Sequence, residues 1–426
     1  MLKRLIAFIE DDWGPQAGTL RRRSLRWFLA DGMFGGASDA IVNAFLSLYL
    51  LALGANKAQI GLLASLSNLT MPLVMFPGAA LAERAREYKG FVLKNLILSK
   101  STLFFLAILP FLPLGSWAIS VAIGLAILRV LLGNFANPAW TAFVAKLVPL
   151  EWRGRYFGSR NILIALVSIL ITLLAGALID IFGKPGGYQV AFALAGLLGL
   201  LSAYSFSRIE EPSLAQREGQ SLNALGILRA VREVPSFLPF CLLSGLWNFS
   251  VMVAGPFFPV YMVEVLKAGG TIVGLTSSLA ILASIPGQRL FGYQADVRGA
   301  LWVHRLTSFL IPMVPWLWAF APTVWFILPV EVFSGFVWAG FNLVSFNLLL
   351  EFTPHEGRPL YVAFYQVIVG LGMTVGPILG GVVASELGYK ALFLLSGALR
   401  AFTALLFVLF IRGTKPWAVP KGQQAK

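Results

Sequence analysis

Long apolar stretches alternate with short polar breaks along the whole chain. Twelve stretches reach the length of about 20 residues that a helix needs to cross a bilayer. They fall at roughly 24–53, 57–82, 91–112, 115–147, 155–182, 187–208, 236–265, 269–293, 300–320, 322–350, 359–386 and 388–411. Gly and Pro interrupt several of them, as bundled membrane helices tolerate. A polar stretch at 209–235, with Glu210, Glu211, Arg217, Glu218, Arg229 and Arg232, separates six spans from six. The pattern predicts an all-α membrane protein with six-helix bundles at 24–208 and 236–412, a linker at 209–235 and tails at 1–23 and 413–426.

The polar punctuation is duplicated. Pro149, Glu151, Arg153, Tyr156 and Asn161 recur 205 residues later as Pro354, Glu356, Arg358, Tyr361 and Gln366. Asn137 and Asn342 each stand twelve residues before the proline of their copy. A duplicated half in so apolar a chain marks a pseudo-symmetric membrane transporter.

Composition narrows the reading. With 58% hydrophobic residues and a mean hydropathy of +0.79, the chain is too apolar for a soluble globule. The net charge of +14 would suit a nucleic-acid partner, but its distribution excludes one. Basic residues cluster in alternate breaks, as at Arg21–Arg23, Arg84, Arg86, Arg153 and Arg155. The other breaks hold only Lys57, Lys184, Lys267 and Lys390. The positive-inside rule therefore places both termini in the cytoplasm. Residues 1–20 lack the apolar run of a cleavable signal; Leu2, Leu5, Ile6 and Ile9 fit either a short surface helix or a basic tail. Short breaks and a basic cytoplasmic face suit a prokaryotic inner membrane.

Enzyme chemistry finds no footing. The lone Cys241 falls inside the seventh span, and His304 and His355, near cytoplasmic breaks, are expected to be solvated, so no metal site is predicted. There is no phosphate-cradling glycine loop and no nucleophile–base–acid arrangement, hence no cofactor. The expected partners are the lipid bilayer, a small-molecule substrate and protons, and the expected state is a monomer.

The chain resembles the major facilitator superfamily from about Arg26 to Arg412. Gly78 to Lys89, GAALAERAREYK, is similar to that family's signature after the second helix, with Leu81, Ala82, Glu83 and Arg84 in place. A second copy, GYQADVRG, keeps Gly292, Ala295, Asp296 and Gly299. The resemblance implies twelve helices in two six-helix bundles and a cytoplasmic gate at Glu83, Arg84, Gly292, Asp296 and Gly299. Glu151, Arg153, Glu356 and Arg358, in the duplicated punctuation, join that gate. Arg129 and Gly133 match the family's fourth-helix pattern. Gly372, Gly376, Pro377, Gly380 and Gly381 match a signature tied to exporters in the fifth helix, but here it sits in the eleventh. Small residues four apart let helices approach and proline bends them, so this run is read as packing and hinge.

Charges deep in a bilayer are expensive, so each is a functional candidate. Asp39 and Arg129 both fall near mid-depth. An aspartate beside an arginine stays ionised, and separating the two in an apolar interior favours protonation. Alternating access that makes and breaks the pair would couple proton movement to substrate movement; the other reading is a static buried ion pair. Asp31, nearer the basic surface, is expected to pair with Arg26 or a loop arginine, and Lys100 to snorkel. Asp180, Glu264 and Glu386 lie near span ends open to water, and Arg400 is expected to pair with nothing functional.

In the tenth span Glu331, Trp338 and Asn342 share one helical face, a stripe suited to a polar or cationic substrate with an apolar body. Asn43, Asn137, Trp247 and Asn248 complete the expected cavity; each could instead be interhelical glue. The expected function is secondary transport, proton-coupled, leaning to efflux of drugs or amphiphiles. Uptake of a sugar or polyol, an uncoupled facilitator and a non-transporting sensor of the same fold are the alternatives.

Overall fold

The computed structural model describes residues 19–84, 88–148, 150–211, 237–353 and 358–411. Unpaired backbone groups are prohibitive in hydrocarbon, which leaves helices as the economical way for this sequence to cross. Among the described residues every regular element is helical. The α-helices are α1 (Thr19–Ala52), α2 (Lys57–Arg84), α3 (Tyr88–Ile108), α4 (Ala118–Leu147), α5 (Leu150–Phe182), α6 (Gly186–Ser207) and α7 (Phe237–Ala254). They continue as α8 (Phe258–Glu264), α9 (Gly270–Arg298), α10 (Ala300–Leu310), α11 (Met313–Ala319), α12 (Val324–Phe352), α13 (Arg358–Glu386) and α14 (Gly388–Phe410). Among the described residues ten spans are long and apolar enough to cross a membrane. With α2 and the broken α10–α11 pair the helices make twelve spans.

Two spans are broken. Gly255–Phe257 forms a 3₁₀ turn between α7 and α8, with Pro256 in its first positions. Pro312 separates α10 from α11. The signature copy expected as a loop after the eighth span is instead mostly helix: Gly292 and Asp296 lie in the last turns of α9, and Asp296 is exposed. Only Gly299 turns the chain, with φ at 88°, a region that glycine enters without a Cβ clash.

The described residues form two compact units. The first contains 19–56, 70–211 and 267–278. Here α1 packs on α5 and α6, and α3 on α4 and α6. Leu25, Phe28, Phe143, Tyr156 and Phe206 are buried together in its core. The Tyr156 hydroxyl donates to the Leu25 carbonyl at 2.8 Å, fixing the base of α5 against α1. The start of α9 belongs to this unit. Asp180 caps it, accepting from the Gly270 and Thr271 amides at 2.6 and 2.8 Å and from the Thr271 hydroxyl at 2.6 Å. The carboxylate expected to face water therefore satisfies the exposed donors of a helix N-terminus.

The second unit contains 57–69, 237–266, 279–353 and 358–411. In it α13 runs along α7, and α14 packs on α7 and α11. A Cβ on Gly372, Gly376 or Gly380 would stand 2.1, 2.6 or 2.0 Å from the carbonyl oxygens of Gly245, Phe249 and Val253. These carbonyls follow the α7 surface at every fourth residue, so the glycine run is the seam along which two backbones meet. A Cβ on Gly381 would stand 3.2 Å from Ala58 and Lys57 of α2, and one on Gly61 would meet the Pro377 carbonyl.

Candidate functional site: a charged cavity and an aromatic one

Each unit encloses a polar cavity. The first, about 560 Å³, is walled by α1, α3, α4, α5 and α6. Asp39 and Asn43, one turn apart on α1, face it with Arg129 and Asn137 from α4. These four residues share one cavity, but the ion pair has a different centre from the one expected. Lys100 of α3 donates to Asp39 Oδ1 at 2.6 Å, whereas the Arg129 guanidinium approaches the same oxygen only to 3.5 Å. The lysine expected to snorkel is buried, with 6% of its side chain exposed, while the Asp39 side chain is 46% exposed. A buried cation without a counter-ion would cost several kcal/mol, so a reachable carboxylate holds Lys100 inward.

Asp31 departs from expectation in the same way. Its partners are Arg160 of α5, at 3.9 Å, and the Ser202 hydroxyl, which donates to it at 2.6 Å. Arg160 also donates from Nε to the Phe28 carbonyl at 3.3 Å and lies 4.2 Å above the Phe28 ring. Gly32 opposes the guanidinium so closely that a Cβ there would collide with it. Lys100, Arg160 and Ser202 were missed as site residues. For Lys100 the signal was present, since it stands twelve residues into a 21-residue helix.

The second cavity, about 170 Å³, is walled by α7, α10, α12, α13 and α14. Trp247, Asn248, Trp338 and Asn342 line it, joined by Tyr365 and His304. His304 is not solvated. It is 4% exposed, one turn inside α10, and packs at a tilt against Phe407 and Phe341, with ring centroids 4.3 and 4.9 Å away. Glu331 does not line this cavity. It shares a face with Trp338 but stands seven residues before it, about 10 Å along the helix, beyond the cavity wall. Arg400 is 1% exposed and donates a hydrogen bond to the Val251 carbonyl at 3.3 Å. Glu264 accepts from the Tyr389 hydroxyl.

A third hollow of about 440 Å³ shares Trp338 and Asn342 with the aromatic cavity. Glu356, the N-terminal tail to residue 18, most of the linker and the C-terminal tail lie outside the described residues, as do the side chains of Glu83, Arg84, Glu151, Arg153 and Arg358.

Long apolar helices that enclose a charged cavity and an aromatic one define a multi-pass membrane transporter. The chain belongs to the Major Facilitator Superfamily, whose model matches residues 32–254 and 240–426. It is 25% identical over 405 residues to the "Multi-drug resistance efflux pump PmrA" of Streptococcus pneumoniae, covering 91% of this chain and 95% of that one. It is 24% identical over 372 residues to the "Multi-drug resistance efflux pump PmrA homolog" of Lactococcus lactis, covering 84% and 87%. Among solved structures, a POT family transporter in complex with 5-aminolevulinic acid superimposes with a TM-score of 0.72 at 14% identity, over 93% of this chain and 98% of that one. A bacterial homolog to the human lysosomal transporter Spinster gives 0.67 at 13% identity, over 93% and 96%. At these identities the structures speak for the fold alone.

Proposed function

We propose that the protein is a proton-coupled secondary transporter that exports small amphiphilic molecules by alternating access. One observation carries the coupling: the half-exposed carboxylate of Asp39 faces a membrane-buried cavity while two nearly buried cations share a single one of its oxygens. Protonating Asp39 releases both cations at once, a large local change for one proton, and gives the cavity two electrostatic states. Lys100 is the principal partner in this reading and Arg129 the modulating one. The names of the curated relatives support export and drug-like cargo. Asn43, Asn137, Asn248, Asn342, Trp247 and Trp338 serve as cargo contacts; Glu331 does not.

The protein sits as a monomer in a bacterial plasma membrane with both termini in the cytoplasm, as the clustering of basic residues supports. The bundles at 24–208 and 236–412 act as the moving parts. Glu83, Arg84, Glu151, Arg153, Asp296, Glu356 and Arg358 form the cytoplasmic gate, with Gly292 and Gly299 shaping its turn. The run Gly372, Gly376, Pro377, Gly380 and Gly381 provides the seam against which α13 adjusts.

Proteoliposomes with an imposed pH gradient test the reading. The wild-type protein drives uphill movement of cargo, and Asp39→Asn loses it while retaining exchange of cargo down its own gradient. Uphill movement that survives Asp39→Asn would remove Asp39 from the coupling.

A further inference from the structure

We propose that the first unit's cavity receives an anionic group and that Arg129 is the cation that holds it, so that the cargo is an organic acid with an apolar body. The inference rests on reading this cavity as the cargo site and goes on to name the cargo's charge.

Three cations and two carboxylates line the cavity: Lys100, Arg129 and Arg160 against Asp31 and Asp39. Distances assign the pairs. Lys100 takes Asp39 at 2.6 Å, and Arg160 takes Asp31 at 3.9 Å, with further bonds from Ser202 to Asp31 and from Arg160 to Phe28. Among the described residues Arg129 is the surplus. Its side-chain contacts are two 3.5 Å approaches to Asp39 Oδ1, an oxygen that Lys100 already occupies. A guanidinium carries five N–H donors in a rigid fork, so most of this one's capacity is unspent.

The surplus matters because of where it lies. The Arg129 side chain is 12% exposed, so bulk water does not compensate it as it would at a surface. A carboxylate, sulfonate or phosphate matches the fork with two parallel charge-assisted bonds. Asn43, Asn134 and Asn137 add amide groups on the same walls, and Trp140 and Ile164 give apolar surface. A cationic cargo meets the opposite situation. Both carboxylates are already engaged, the wall carries one excess positive charge, and Glu331, the acid expected to attract a cation, is not among the residues that line either cavity.

The test uses the detergent-purified full chain and three probes that share one ring system: 2-naphthoate, 2-naphthylmethylammonium and 2-naphthylmethanol. A ligand of the folded state raises the apparent unfolding midpoint, by an amount that grows with the logarithm of its affinity. The anion should bind at least about tenfold more tightly than either of the others, the effect of a charged hydrogen-bonded pair. Arg129→Gln should erase that advantage and leave the neutral alcohol unchanged, which also reports that the variant is folded. Arg129→Lys should restore part of it, since a point charge cannot reproduce the fork.

A ranking with the ammonium first, no binding of the naphthoate, or naphthoate binding indifferent to Arg129→Gln would each overturn the proposal. If Arg129→Gln does not fold, the wild-type ranking and Arg129→Lys decide. Flux in proteoliposomes separates the two readings. Naphthoate that binds through Arg129 but is never moved would end the transport reading and leave the site. Ammonium that is moved, with naphthoate unbound, would do the reverse.

Discussion

The two cavities are built from the same positions. With the offset of 205 residues that relates Asn137 to Asn342, Asp39 corresponds to Ser244, Asn43 to Asn248, Ser99 to His304, Gly133 to Trp338, Arg160 to Tyr365, Ile164 to Val369 and Ser202 to Phe407. Of the residues lining the second cavity, all but Trp247 have a counterpart lining the first. Duplication has kept the scaffold and the two amide pairs and replaced the chemistry. Gly35, Gly133, Ala136 and Ser202 leave room in the first unit; Phe240, Trp338, Phe341 and Phe407 fill the same places in the second. The volume falls from about 560 to about 170 Å³ accordingly. One copy specialised in charge and the other in aromatic surface.

Substitutions that move one cavity toward the other sharpen this contrast. The largest effect is expected at Trp338→Gly, which copies Gly133 and opens the second cavity. Loss of a large aromatic side chain from a packed wall costs about 3 kcal/mol, read as a lowered unfolding midpoint. Gly133→Ala should stay within about 1 kcal/mol of the wild type, because a Cβ there meets only open space.

Next comes Lys100→Met, which takes the nearest partner from Asp39 and lowers stability by about 2 kcal/mol, less than a fully buried pair because Asp39 is half exposed. Gradient-driven flux should fall at least about tenfold, the equivalent of one lost charged contact. Arg305, the counterpart of Lys100, donates to the Ile411 carbonyl at 2.8 Å. Arg305→Met should lower the midpoint slightly and retain the dependence on the pH gradient.

Gly380→Ala follows. Its methyl would collide with the Val253 carbonyl, so the α7–α13 seam must open, at about 1–2 kcal/mol. The corresponding residue of α5 is Ala175, and Ala175→Gly should cost about 1 kcal/mol through helix propensity alone. The smallest effect belongs to Asp180→Asn, which weakens a helix cap by roughly 0.5–1 kcal/mol. Unfolding midpoints of the paired variants, measured side by side in one detergent, check all of these.

What the sequence revealed was governed by periodicity and length. Spans announce themselves because hydrocarbon demands an unbroken apolar helix, and ends such as 57, 300, 386 and 388 coincide with structural boundaries. Asn137 and Asn342 were legible as a pair because duplication repeats position. Glu331 was misplaced because a shared helical face fixes an angle and says nothing of height along the axis. Lys100 was misread because a lysine's length permits snorkelling; the decision lies with Asp39, on another helix, and single-chain patterning does not show which side chains meet. The signature copies were read as loops, whereas in the second one only Gly299 carries the backbone that requires glycine.

The cap that Asp180 places on α9 also constrains how the protein is made. The ribosome produces Asp180 90 residues before Gly270, the first amide it receives. At about 5–20 residues per second, α5 waits roughly 5–20 s in the bilayer with its carboxylate and the groove at Gly176 unoccupied. An N-terminal half synthesised alone would wait indefinitely. Completion of the first unit is therefore a late event in biosynthesis, set by the arrival of a helix encoded in the other half of the gene.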